Sequence, residues 1–149
     1  MIQNNSNFEI LQNEIQKMIN YTSKKSTKNK RKSFYIYISV AISSALITFL
    51  VAIGDDFPVW KETLKMSTLF FSALSTILAA WDGFYNHKEL WVIYGETRHY
   101  LKELYLKTRL ASESDKNNPE YINKLHKEYQ SIVSKGNFKW KELRMDDND

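Results

Sequence analysis

Between Phe34 and Ile53 the chain reads FYIYISVAISSALITFLVAI, twenty residues without a charge, Asn, Gln, Pro or Gly. At a rise of about 1.5 Å per residue, a helix of that length crosses the roughly 30 Å hydrocarbon core of a bilayer. A second run, Met66 to Trp81 (MSTLFFSALSTILAAW), reaches spanning length when Thr63 to Lys65 and Gly83 to Tyr85 add flanking turns, with Lys65 reaching outward at one end. The competing reading of this shorter run is a buried core helix. Gly54, Asp55, Asp56 and Pro58 between the runs are turn chemistry, and the segment is too short to hold a domain. Two helices joined in this way are antiparallel neighbours. The pattern predicts an all-α membrane protein, a two-transmembrane helical hairpin with cytoplasmic helices at both ends. Its expected divisions are a cytoplasmic N-terminal helix and basic collar over 1–33, spans at 34–53 and 63–85, an extracytoplasmic loop at 54–62 and a cytoplasmic helical region over 86–149.

Composition alone conceals this, because 43% hydrophobic residues is the average of a soluble domain. The charge is segregated as well. Residues 1–33 carry seven Lys/Arg against two acids, whereas 82–149 carry twelve of each sign. Lys24, Lys25, Lys28, Lys30, Arg31 and Lys32 crowd against the first span, while only Lys61 and Lys65 flank the loop. The positive-inside rule then places both termini in the cytoplasm of a multi-pass protein of the cell (inner) membrane. The same collar is suited to contact with anionic lipid, a reading favoured over a nucleic-acid patch by its position against an apolar span. Tyr35, Tyr37, Trp60, Trp81 and Tyr85 fall at the expected interfaces. A cleaved signal peptide is disfavoured, since thirty-three mostly polar residues precede the first span and no A-x-A-like site closes it.

The flanking segments carry helical periodicity. Phe8, Leu11, Ile15 and Met18 form a narrow seam, and Leu90, Tyr94, Thr97, Leu101, Leu104 and Thr108 a longer one, on a helix expected from about Phe84 to Glu113. Ser114 to Asn118 interrupts the pattern. Asn118, Pro119 and Glu120 then read as N-cap, first-turn proline and dipole-favoured acid. The last helix carries the stripe Ile122, Leu125, Tyr129 and Ile132, with Gly136 expected as its C-terminal stop and disorder from Lys141 to Asp149. These seams are expected to drive self-association, packing either within one chain or between subunits.

Inside the apolar runs the faces differ. At 100° per residue Thr68, Ser72, Ser75, Thr76, Ala79 and Asp82 share about a third of the second helix's circumference, opposite Leu69, Phe70, Leu74, Ile77, Leu78 and Trp81. Two uses compete for the hydroxylated face. It can be packing glue, or it can line a water-filled path enclosed by several copies, with Asp82 forming an acidic ring at the cytoplasmic mouth that favours cations. In the first helix Ala41, Ser44, Ala45, Thr48 and Ala52 make a small-residue face that permits close helix packing.

Catalysis finds no support. The chain has no cysteine, no glycine-rich phosphate loop and no dense ligand spacing among His87, His99 and His126, each of which reads as a solvated surface histidine. His99 and Glu103 are expected to form an ordinary i, i+4 pair. No enzyme activity, cofactor, metal site or nucleic-acid partner is expected.

The order of polar helix, basic stretch, tight hairpin and long following helix, together with Phe84 to Leu104 (FYNHKELWVIYGETRHYLKEL), with its Trp91, Tyr94, Glu96 and Leu101, resembles the SLATT family, the SMODS and SLOG-associating two-transmembrane effector proteins of prokaryotes. The resemblance implies a pore-forming membrane effector of anti-phage defence, triggered by a nucleotide second messenger or a partner sensor protein. The resulting expectation is a homo-oligomer in the lipid bilayer that opens an ion-permeable path. The alternative is a membrane-anchored helical scaffold that recruits a cytoplasmic partner without conducting.

Overall fold

The structure, a computed structural model, describes residues 2–54 and 56–145, and every regular element among them is helical. Helix α1 spans Ile2–Ile53 and α2 spans Lys61–Tyr85, joined through a 3-10 turn at Pro58–Trp60. Helices α3 (His87–Leu110), α4 (Glu113–Lys116) and α5 (Pro119–Met145) follow. The chain forms two compact units, one of Met1–Asn29 with Lys88–Asp149, the other of Lys30–His87.

The first unit is a helical bundle with a core from three helices. Phe8, Leu11, Ile15 and Ile19 of α1 meet Leu101 and Leu104 of α3 and Leu125 of α5, and Met18, Tyr105, Tyr121, Ile122, Tyr129 and Ile132 pack around them. The three apolar stripes read from the sequence thus cover one another inside a single chain. Packing within one chain is one of the two arrangements expected for these seams. Hydroxyls buried among them are satisfied locally, as burial without a partner would cost about 1–3 kcal/mol each. Thr22 Oγ1 donates to the Met18 carbonyl at 2.8 Å and Thr97 Oγ1 to that of Ile93 at 2.9 Å. Ser26 Oγ donates to the Trp91 carbonyl at 3.2 Å, and Thr108 Oγ1 accepts from Gln12 Nε2 at 3.2 Å.

Two expectations about the last helices change. The interruption after α3 contains a full turn, α4, because Ser112 and Asp115 form a reciprocal capping box. Asn118 does cap α5, its Oδ1 accepting from Glu120 N at 2.9 Å. Gly136, however, does not stop α5, which continues to Met145. A Cβ at Gly136 would stand 2.7 Å from Thr97 Oγ1, so glycine here lets α5 approach α3 and is no helix terminator. The expected disorder from Lys141 is corrected as far as Met145, and 146–149 lie outside the described residues.

In the second unit the turn is closed by backbone bonds from Gly54 N to the Val51 carbonyl (3.3 Å) and from Trp60 N to that of Phe57 (3.0 Å). Residues 30–53 of α1 turn Ser33, Ile36, Val40, Ser43, Ile47 and Leu50 inward. Leu64, Thr68, Phe71, Ser75, Leu78, Asp82 and Tyr85 of α2 do the same. Much of the remaining surface is large and apolar, with Tyr37, Phe49, Met66, Phe70 and Ile77 all exposed. Both α1 and the stretch from Pro58 onward are long and apolar enough to cross a membrane.

One repeat runs through α1 from end to end. Phe8, Ile15, Thr22, Asn29, Ile36, Ser43 and Leu50, each seven residues after the last, are all buried or half-buried. A seven-residue period returns nearly the same face of a helix every two turns. The inward positions of the next two helices keep the period but not the phase. Leu64, Phe71, Leu78 and Tyr85 point inward on α2, then His87, Tyr94, Leu101 and Thr108 on α3. The reset falls at Asn86, whose left-handed backbone (φ 46°, ψ 45°) ends α2 while its N–H donates to the Asp82 carbonyl at 2.8 Å.

Candidate functional site

The hydroxylated stripe of α2 divides in two. Thr68, Ser75 and Asp82, spaced by seven, are half-buried toward the hairpin seam, while Ser72, Thr76 and Ala79 are exposed on its outside. Within the helix, Thr68 Oγ1 donates to the Leu64 carbonyl at 2.9 Å and Thr76 Oγ1 to the Ser72 carbonyl at 3.0 Å. A hydroxyl whose proton is spent on its own backbone keeps only acceptor lone pairs for other groups. On the outer stripe Thr76 is therefore an acceptor only. In the seam, Ser75 Oγ and Asp82 Oδ1 are enclosed without a hydrogen-bond partner, two polar atoms that the hairpin itself does not satisfy.

The small-residue face of α1 is exposed as well. Ala41, Ser44, Ala45, Thr48 and Ala52 are all exposed, and Thr48 Oγ1 donates to the Ser44 carbonyl at 3.0 Å. Ile36, Val40, Ser43 and Ile47 are among the buried and half-buried positions of this stretch instead, so the small face is exposed. Both halves of the hairpin thus carry an outward small or hydroxylated strip beside bulky apolar side chains.

The six cations of the collar, Lys24, Lys25, Lys28, Lys30, Arg31 and Lys32, are all exposed, while Thr22, Ser26, Asn29 and Ser33 of the same helix are buried or half-buried. Lys25 Nζ stands 5.5 Å from the centre of the Tyr21 ring. Tyr35, Tyr37, Trp60 and Trp81 are exposed, and Tyr85 is half-buried.

Of the histidines, His99 and His126 are exposed, and His99 Nε2 lies 3.2 Å from Glu103 Oε1 as the spacing implied. His87 is different. Only 3% exposed, it stacks on Tyr85 with ring centres 5.4 Å apart and planes 5° apart, which corrects its reading as a solvated residue. The left-handed turn at Asn86 tucks it inward, a backbone event that side-chain periodicity does not register. Among the described residues no group of His, Asp and Glu is placed to hold a metal ion.

A polar cluster between α3 and α5 also escaped the sequence. Lys139 Nζ donates to Glu96 Oε2 at 2.6 Å, and Lys135 Nζ lies 5.8 Å from the Tyr100 ring centre. The hydrogen bond from Lys139, aided by the Lys139 and Lys135 charges, holds the Glu96 carboxyl below its ordinary range and outweighs partial burial. The Lys139 ammonium is raised in turn by its bond to Glu96. The only sequence signal was the i, i+4 spacing of the two lysines.

The family model described as protein of unknown function (DUF4231) matches residues 17–107, from the middle of the first bundle segment through both apolar helices to the last turn of α3. Neither a curated protein nor a solved structure matches the chain.

Proposed function

We propose, from the premise that the chain belongs to the DUF4231 family, that it is a two-transmembrane effector whose copies assemble in the cell membrane and open an ion-permeable path. The observation that carries this reading is the outward placement of Ser72, Thr76 and Ala79 on α2 and of Ser44 and Thr48 on α1. Lipid tails offer these strips no hydrogen bonds, whereas neighbouring helices and water do. The hydroxyl oxygens of the outward strip, with the Asp82 carboxylate in the neighbouring seam, suit a cation better than an anion. Two helices cannot enclose a pore, so several hairpins must surround one, packed through the small face Ala41, Ala45 and Ala52. The exposed collar supports a cytoplasmic placement of both termini and contact with anionic headgroups.

The resemblance to SLATT effectors supports a role in anti-phage defence, in which depolarisation halts the infected cell. The trigger is then a nucleotide second messenger or a partner sensor acting on the cytoplasmic bundle. Expression of the triggered chain collapses the membrane potential, read with a voltage-sensitive dye. Ser72→Leu or Asp82→Leu reduces that collapse without preventing insertion. If both variants insert, assemble and depolarise as the parent does, the pore-lining assignment is wrong. Should the chain keep its function after both spans are exchanged for an unrelated hairpin, the non-conducting scaffold is the correct reading instead.

A further inference from the structure

The close approach of Gly136 to Thr97 leaves a cleft of about 250 Å³ beside it, between α3 and α5. Glu96, Tyr100, Ser131, Ile132, Lys135 and Lys139 line it. All of them belong to one compact unit, and the α5 members lie beyond the segment matched by the family model. We propose that this cleft binds a small carboxylate with an apolar body, the carboxylate resting between Lys135 and Lys139 and the body against Tyr100 and Ile132.

Charge decides the ligand class. The cleft lining holds two ammonium groups and one carboxylate, a surplus of one positive charge within the lining, with the Glu142 charge acting on Lys139 from outside it. Lys139 spends one of its three N–H donors on Glu96, at 2.6 Å, and two remain. Lys135 sits over the Tyr100 ring rather than on a carboxylate, and exchanging that contact for a full counter-charge is favourable. A monoanion neutralises the surplus. A phosphate monoester, at about −1.5 to −2, overfills a site that already contains Glu96. Size points the same way, since the volume falls below the roughly 300–1,000 Å³ of pockets for drug-sized ligands. The Ser131 hydroxyl is exposed at the rim.

The test uses the full chain in detergent micelles, titrated with 4-fluorobenzoate and followed by fluorine line width, with acetate and inorganic phosphate as competitors. Saturable binding is expected, weakened about tenfold by Lys135→Gln, the loss of one charge-assisted contact. Glu96→Gln removes the competing negative charge and tightens binding severalfold, a gain that misfolding cannot imitate. Lys141→Gln, exposed on α5 outside the cleft, leaves binding unchanged. The proposal is overturned by absence of saturable binding, by parental affinity in Lys135→Gln, by weaker binding in a folded Glu96→Gln, or by phosphate competing better than acetate.

Discussion

Glycine has opposite meanings at two positions of this chain. In an open helical position, replacing it by alanine removes backbone entropy from the unfolded chain and gains about 0.5–1 kcal/mol. Gly83 has nothing within 4 Å of where its Cβ would stand. Gly83→Ala is therefore expected to raise the unfolding temperature in micelles slightly. At Gly136 the same change puts a methyl group 2.7 Å from Thr97 Oγ1 and forces two helices apart. Overpacking costs about 1–3 kcal/mol and outweighs the entropic gain, so Gly136→Ala lowers the unfolding temperature. Thr97→Ala removes the clashing atoms and leaves only the Thr97 Cβ, at 3.7 Å, an ordinary contact. The double variant is then less destabilised than the two single changes summed, which a thermal double-mutant cycle measures. Nothing local in the sequence separates these glycines. Gly136 follows Lys135 near the end of an amphipathic stripe, as a helix terminator would, and its partner is 39 positions earlier.

At the level of elements, the seven-residue repeat explains which expectations held. Stripes such as Leu90, Thr97, Leu101 and Leu104 were legible because each helix reports its own inward face through spacing. The two expected sites on the hairpin were legible only as compositions. A helical wheel groups Ser72 with Ser75, but it takes the neighbouring helix to divide them, one outside and one in the seam. Asn86 was invisible for a related reason: asparagine tolerates the left-handed backbone without announcing it. There, Asn86→Gly is expected to leave stability nearly unchanged. Asn86→Val, forced into the same conformation, costs roughly 1–2 kcal/mol. Comparing unfolding midpoints of the two variants checks this, and equal midpoints would show that α2 and α3 merge without difficulty.

For the whole molecule, pH acts on the bundle through the α3–α5 ion pair. Glu96 is held below its ordinary value of 4.5, so its contribution is complete above about pH 5 and is lost as pH falls through the folded-state value. Lys139 is raised above 10.5, so its share is present at neutral pH and vanishes as pH rises through that higher value. Both groups are about one-third exposed, and screening keeps the effect modest. Glu96→Gln should flatten the acid limb of the melting-temperature profile between about pH 3 and 5. A parental slope in that variant would assign the acid sensitivity to other carboxylates.

The bundle is also closed late in the life of the chain. Gln12 hydrogen-bonds Thr108 across 96 positions, and Phe8 shares a core with Leu125. The first half of α1 therefore leaves the ribosome with its apolar face unpartnered, and stays so while both long apolar stretches are made. Only when α5 emerges can Leu101, Leu104 and Ile15 be sealed together. Biosynthetic order thus makes the hairpin the earlier commitment and the bundle the later one, and a ribosome stalled before α5 would carry an exposed greasy seam on which holding chaperones act.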